Sequence, residues 1–185
     1  MRIGNVRVYD LKESILASGF PRQVDIDFGK FENQELTQQD IDRAVRLANS
    51  KNGSGHDSFL KGILVSMNIT FPQYWLIQMD RYHFIDIVSS TSKMNSISKM
   101  IDQLSEFSKE AIKKYNNKEI NIDQLMQYIP LSLTLTARFT TNYLQLKTIY
   151  SQRKFHKSKE WQEFCSWIDH LPMSELICNF KEEVN

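Results

Sequence analysis

The chain has 185 residues, with 23 lysines and arginines against 22 aspartates and glutamates, a formal net charge of +1. At 41% hydrophobic and 24% charged residues its composition suits a globular domain and excludes wholesale disorder. No apolar run approaches the ~20 residues that span a bilayer, and the near-balanced charge argues against a nucleic-acid binder. One domain over residues 1–185 is expected, and a start without an apolar signal core predicts a cytoplasmic protein with no membrane partner.

In chain order, Val6–Tyr9 alternates like a short strand, Leu11–Ala17 reads as one or two helical turns, and Asp27–Phe31 as a loop pinned by Phe28 and Phe31. Thr37 is an N-cap candidate with Asp40 in the first turn. Ile41, Ala44, Val45 and Ala48 continue that helix to an Asn49–Gly55 turn containing Gly53 and Gly55. Ile63, Val65, Met67, Ile69 and Phe71 alternate with Leu64, Ser66, Asn68 and Thr70, which predicts a strand. Pro72 ends it and suits the first turn of a helix over Gln73–Arg81. From Met94 to about Tyr115, Ile97, Met100, Ile101, Leu104, Phe107 and Ile112 form one stripe at helical spacing. Asn116-Asn117-Lys118 breaks it before a shorter helix, Asn121–Ile129. The stretch from Pro130 to Arg153 reads as helical, and Ser158–His170 as amphipathic. These elements predict an α+β fold with helix in excess.

Cys165 and Cys178 lack a C-x-x-C spacing, and the four histidines have no paired helical spacing, so neither a disulfide framework nor a metal site is expected. The segment Gln78 to Met94 sets Arg81, His83 and Lys93 near the hydroxyls of Ser89, Ser90, Thr91 and Ser92. Cations with neutral donors suit a phosphate. By composition alone, a helix-to-helix loop whose hydroxyls cap the Met94 helix is the simpler reading.

The order of these features resembles the flavin-dependent thymidylate synthases, whose signature is R-H-R-x-x-S-x-N-E-x-S-x-R-Y. Arg81-Tyr82-His83 stands where R-H-R would, three residues after Gln78; Thr91 falls on the second Ser and Lys93 on the following Arg. Upstream, Gly55-His56-Asp57-Ser58 looks like the family's histidine turn. Downstream, Ile129-Pro130, Thr136, Thr140, Asn142, Leu146 and Arg153 resemble its Thr-rich, Asn-containing helix. The likeness runs from about Asp40 to Trp161.

The resemblance implies a helix-rich α+β domain, a small sheet packed against long helices, assembled as a homotetramer. It implies FAD near His56, Ser58, Arg81, His83 and Asn142, and a deoxyuridylate-type nucleotide near Gln78, Ser89, Thr91 and Lys93. In an active enzyme, NADPH and methylenetetrahydrofolate complete a methyl-transfer reaction in which the cofactor carries the hard chemistry. Catalytic residues are not identified. His83 replaces the second signature Arg, Asp86 the first Ser, Val88 the Asn, Ser89 the Glu and Met94 the Tyr, and the family's late Arg-bearing segment is not recognisable in Lys157–Phe164. His83 is a weaker cation than Arg, and Asp86 adds negative charge. The alternative is a catalytically silent scaffold that binds a nucleotide or blocks a partner protein. Several residues carry two readings: His56 as flavin donor or cap, Arg81 as ligand contact or partner of Asp80, Asp86 or a neighbouring subunit, Asn142 as flavin contact or backbone partner, and His83 with Asp86 as general-base pair or structural pair.

Overall fold

Strict alternation builds the central strand. In β2 (Leu64–Pro72), Val65, Met67, Ile69 and Phe71 are buried, with Ile63 just before them, while Ser66, Asn68 and Thr70 face the other way. The computed structural model describes residues 1–50 and 54–178. Lys51–Gly53, three of the seven residues of the expected glycine turn, lie outside the described residues. β1 (Arg2–Tyr9) pairs antiparallel with β2, Val8 opposite Val65. β4 (Thr134–Asn142) lies on the other side of β2 in unbroken register from Leu64↔Asn142 to Pro72↔Thr134. β3 (Ile85–Ser90) takes the outer edge, giving the order β1-β2-β4-β3.

The helices cover the buried face. α1 (Leu11–Ala17) leads through a 3₁₀ turn, Phe20–Arg22, to α2 (Phe28–Asn33), and α3 (Gln38–Ala48) carries the predicted cap. Thr37 and Asp40 form a reciprocal capping box, the Asp40 N–H donating to the Thr37 hydroxyl at 3.2 Å and the Thr37 N–H to the Asp40 carboxylate at 3.0 Å. A 3₁₀ turn, Ser58–Lys61, precedes β2, and α4 (Gln73–Met79) follows Pro72 as the proline predicts. α8 (Tyr143–Arg153) buries Tyr143, Leu146, Ile149 and Tyr150, and α9 (Lys159–Ile168) buries Trp161, Phe164, Cys165 and Ile168. α10 (Glu175–Cys178) closes the described chain. Trp75 joins these layers, its ring 5.0 Å from Trp161, 5.5 Å from Phe71 and 5.6 Å from Phe164. Each such pair adds about 0.5–1.5 kcal/mol beyond area burial.

Four expectations are corrected. Residues 27–31 are not a loop but start α2, whose Phe31 packs on Phe20 at 5.3 Å while Phe28 stays exposed. Residues 85–90 are strand rather than loop: β3 is an edge with only Ile85 buried, so no apolar alternation marks it. The stripe from Met94 to Tyr115 is three pieces: α5 (Lys93–Ser96), a 3₁₀ stretch Ile97–Gln103, and α6 (Glu106–Asn116). Ser105 breaks it by capping α6, its hydroxyl accepting from the Ser108 N–H at 3.3 Å, and Phe107 turns outward. Pro130–Arg153 is not one helix but β4 followed by α8, because Thr134, Thr136, Arg138 and Thr140 alternate with Leu135, Ala137 and Phe139. The shorter helix is α7 (Ile122–Met126), capped by Asn121. Residues between β3 and β4 bury their own cluster, including Ile97, Leu104, Ile112, Leu125 and Ile129. No helix among the described residues is long and apolar enough to cross a membrane.

Candidate functional site

The expected nucleotide residues lie along the β3 edge. Directly opposed residues of an antiparallel pair share a face. Ser89 is opposite Arg138, Asp86 is opposite Thr140, and the register slips between Ile87 and Ser89, a bulge that sets Val88 outward. Thr91 prolongs the strand: its N–H donates to the Thr136 carbonyl at 2.9 Å and its hydroxyl accepts from the Thr136 N–H at 3.0 Å. Thr136, Arg138 and Thr140 belong to the face turned away from the core, where the Thr70 and Thr136 hydroxyls meet at 2.8 Å. Arg138 is fixed on that face by donating to Asn68 Oδ1 at 3.1 Å and to the Asn5 carbonyl at 2.8 Å. Only register reveals it, so sequence reasoning missed it. Lys93, the first residue of α5, is half-buried. Burial pushes its pKa below the usual lysine value, and no carboxylate among the described residues pairs with it.

Of the five expected cofactor residues, Asn142 and His56 border two different cavities, and Ser58, Arg81 and His83 line neither. Asn142 borders a pocket of about 270 Å³ with Lys61, Phe84, Gln145 and Thr148. Arg81 and His83 are exposed on the turn ending at Phe84, whose carbonyl accepts from the Thr141 hydroxyl at 2.7 Å. Asn142 also caps α8, Oδ1 accepting from the Gln145 N–H at 2.8 Å, so the backbone role is present. Arg81 forms no ion pair with Asp80 or Asp86, nor His83 with Asp86, among the described residues. Ser58 is exposed at the start of its 3₁₀ turn.

His56 instead borders a separate cleft of about 470 Å³ between α1 and α3, together with Arg22, Arg43 and Arg46. Gly55, in the left-handed region at φ 77°, precedes it. This turn is pinned from below by Lys147 of α8. The buried ammonium donates to Asp57 Oδ2 at 2.7 Å and to the Ala48 carbonyl at 2.6 Å.

Gln78, expected near the nucleotide, and Arg153, which the resemblance sets at the end of the Asn-containing helix, are both engaged inside the fold. Gln78 Oε1 accepts from the Trp161 indole N–H at 2.8 Å. The Arg153 guanidinium lies 4.9 Å from the Trp161 ring centre, and its Nε donates to the Tyr82 hydroxyl at 2.8 Å. The Tyr82 hydroxyl in turn donates to Gln152 Oε1 at 3.1 Å. Arg153 thus ties α8 to α9 and to the turn that follows α4. No cluster of metal-ligating side chains occurs among the described residues.

No protein-family model matches the sequence, and no curated protein matches it. Solved structures do. Two structures of the flavin-dependent thymidylate synthase ThyX from Helicobacter pylori, complexed with FAD and dUMP, are each similar with a TM-score of 0.72 at 16% identity, over 96% of this chain and 97% of that one. A UMP/dUMP methylase, PolB from Streptomyces cacaoi bound with 5-Br dUMP, is similar with a TM-score of 0.64 at 12% identity, over 94% of this chain and 93% of that one. Over nearly its whole length, this chain has the fold of the flavin-dependent thymidylate synthases.

Proposed function

We propose that the chain binds a pyrimidine nucleotide along β3 and part of a flavin at the Phe84–Asn142 pocket, acting as an assembly of its own copies. Lys93 carries the reading. It is a half-buried ammonium with no carboxylate partner among the described residues, two positions after Thr91, on a fold whose solved relatives are complexed with FAD and dUMP. A phosphate supplies the missing countercharge, with Ser89 and Thr91 as neutral donors and Arg138 across the strand. The 270 Å³ pocket is below the ~300–1,000 Å³ typical of whole-cofactor sites. Phe84 and the Asn142 amide suit one flat ring there, and the remainder of a dinucleotide needs residues from another copy. On the catalytic branch, FAD supplies hydride chemistry, with NADPH and methylenetetrahydrofolate as co-reactants, while the chain's own residues hold and orient the nucleotide.

A second reading, a silent scaffold that retains a nucleotide or blocks a partner protein, is favoured by Gln78 and Arg153. Both are committed to Trp161, and Asp86 sets a negative charge among the β3 hydroxyls. Titration of purified protein with FAD, followed by visible absorbance, and with dUMP by calorimetry tests the binding. Uptake of either, with dUMP binding lost in Lys93→Met, supports it; a colourless protein that binds neither overturns it. Growth of thymidine-requiring cells carrying the gene selects the catalytic branch.

A further inference from the structure

The outer edge of the sheet has a cationic end and an anionic end on one face. The bulge between Ile87 and Ser89 shifts the alternation of β3 by one residue, so Asp86 and Ser89 both face away from the core, opposite Thr140 and Arg138. Without the bulge, two residues three apart on a strand would face opposite sides. Thr91 continues the same row beside Thr136, and Lys93 follows at that end. Thr136 and Thr140 are four residues apart on β4, about 14 Å at the rise of an antiparallel strand. A nucleoside monophosphate bridges that separation between the Lys93 ammonium and the Asp86 carboxylate.

Asp86 has no neutralising partner. It is exposed and makes no ion pair or side-chain hydrogen bond among the described residues. Arg138 does not supply one, because its bonds to Asn5 and Asn68 turn its guanidinium toward β1. A carboxylate repels phosphate, so the phosphate takes the Lys93 end and the base falls at Asp86. An ionised carboxylate only accepts hydrogen bonds, so the base must present an N–H to it. Among pyrimidines, cytosine has a 4-amino donor beside an acceptor N3. The Thr140 hydroxyl, 3.4 Å from that of Ser66, can donate to that N3. Uracil presents the reverse order, a 4-oxo acceptor beside N3–H, and its oxygen would face the Asp86 carboxylate lone pair to lone pair.

We propose that the β3 site selects a cytosine nucleotide over a uracil nucleotide, with Asp86 accepting from the 4-amino group and Thr140 donating to N3. The inference rests on the β3 nucleotide reading and names its base.

Calorimetric titration of the full chain with dCMP and dUMP at neutral pH tests it, using wild type, Asp86→Ser and Asp86→Asn. The two ligands carry the same phosphate and sugar, so their ratio of affinities reports the base alone. Asp86 is an exposed edge residue, so both variants keep the fold, which circular dichroism checks. Wild type is expected to bind dCMP about fivefold or more tighter than dUMP. Serine removes the charge and asparagine adds an amide donor for the 4-oxo group, so a lower ratio in either variant supports the assignment. A smaller wild-type ratio, or one that neither variant lowers, overturns the base assignment and leaves the β3 reading standing. A wild type that binds neither nucleotide overturns the β3 reading, and the base assignment falls with it.

Discussion

Lys147 offers the sharpest test of how the fold holds its candidate site. Its side chain is 5% exposed and that of its partner Asp57 is 14% exposed. Methionine keeps the length and the unbranched stem of lysine, so Lys147→Met preserves packing while removing the charge. The change leaves the Asp57 carboxylate without its ion pair and the Ala48 carbonyl without its donor. Removing one partner of a buried pair costs about 3–5 kcal/mol, which for a chain of this size lowers Tm by roughly 6–20 °C. Urea unfolding followed by circular dichroism measures it. The double variant Lys147→Met/Asp57→Asn removes the orphaned charge and should lose less than the sum of the single variants. A loss below about 1 kcal/mol for Lys147→Met, the scale of an exposed salt bridge, would refute the claim that this pair fixes the His56 turn.

A Cβ at Gly62 would lie 2.4 Å from the Ser14 hydroxyl, a short and buried side chain, so Gly62→Ala is expected to cost about 1–3 kcal/mol in thermal unfolding. Adding Ser14→Ala should restore most of that loss. Thr37→Ala is expected to cost about 1 kcal/mol at neutral pH. The Asp40 carboxyl is held below its ordinary pKa, first by the Thr37 hydroxyl, against the opposing effect of burial, and further by the Thr37 N–H and Arg43. A depressed carboxylate stabilises the fold above its unfolded pKa of ~3.9 and loses that contribution as pH falls through the folded value, so the gap between Thr37→Ala and wild type should narrow below about pH 4. Burial, followed by the charge of Asp169, pushes the Cys165 thiol up to about 12; burial, followed by a hydrogen bond to Asp169, does the same for Cys178. Both should react with a thiol reagent at pH 8 far more slowly in folded protein than in urea.

How much was legible in the sequence depends on how strongly each element is half-buried. β2 alternates large apolar with polar residues, and its strand, its end at Pro72 and the helix beyond follow from that pattern alone. β4 has the same period, but its buried side includes Ala137 and Thr141, too weak a signal beside the apolar run of α8. β3 turns almost everything but Ile85 outward, so only its pairing with β4 defines it. The site divides in the same way. Ser89, Thr91 and Lys93 are local in sequence and lie along one edge, whereas Arg22, Arg43 and Arg46 converge only once α1 packs on α3, and Arg138 meets Ser89 only through register. Gln78 and Arg153 show the converse: the residue types suit a ligand, but Trp161 holds both.

The strand order has a consequence for synthesis. β4 lies between β2 and β3, yet it is the last of the four to be made, separated from β3 by the helices that bury their own apolar cluster. Until residue 142 has left the ribosome, one edge of β2 and the only pairing edge of β3 have no partner, and the apolar rows of Val65, Met67, Ile69 and Phe71 stay uncovered by β4 and α8. Long-range pairing of this kind is slow to form, and open strand edges are the surfaces on which nascent chains associate. The intervening helices, with local contacts and a cluster of their own, shorten the span that β4 must close to reach its slot between β2 and β3.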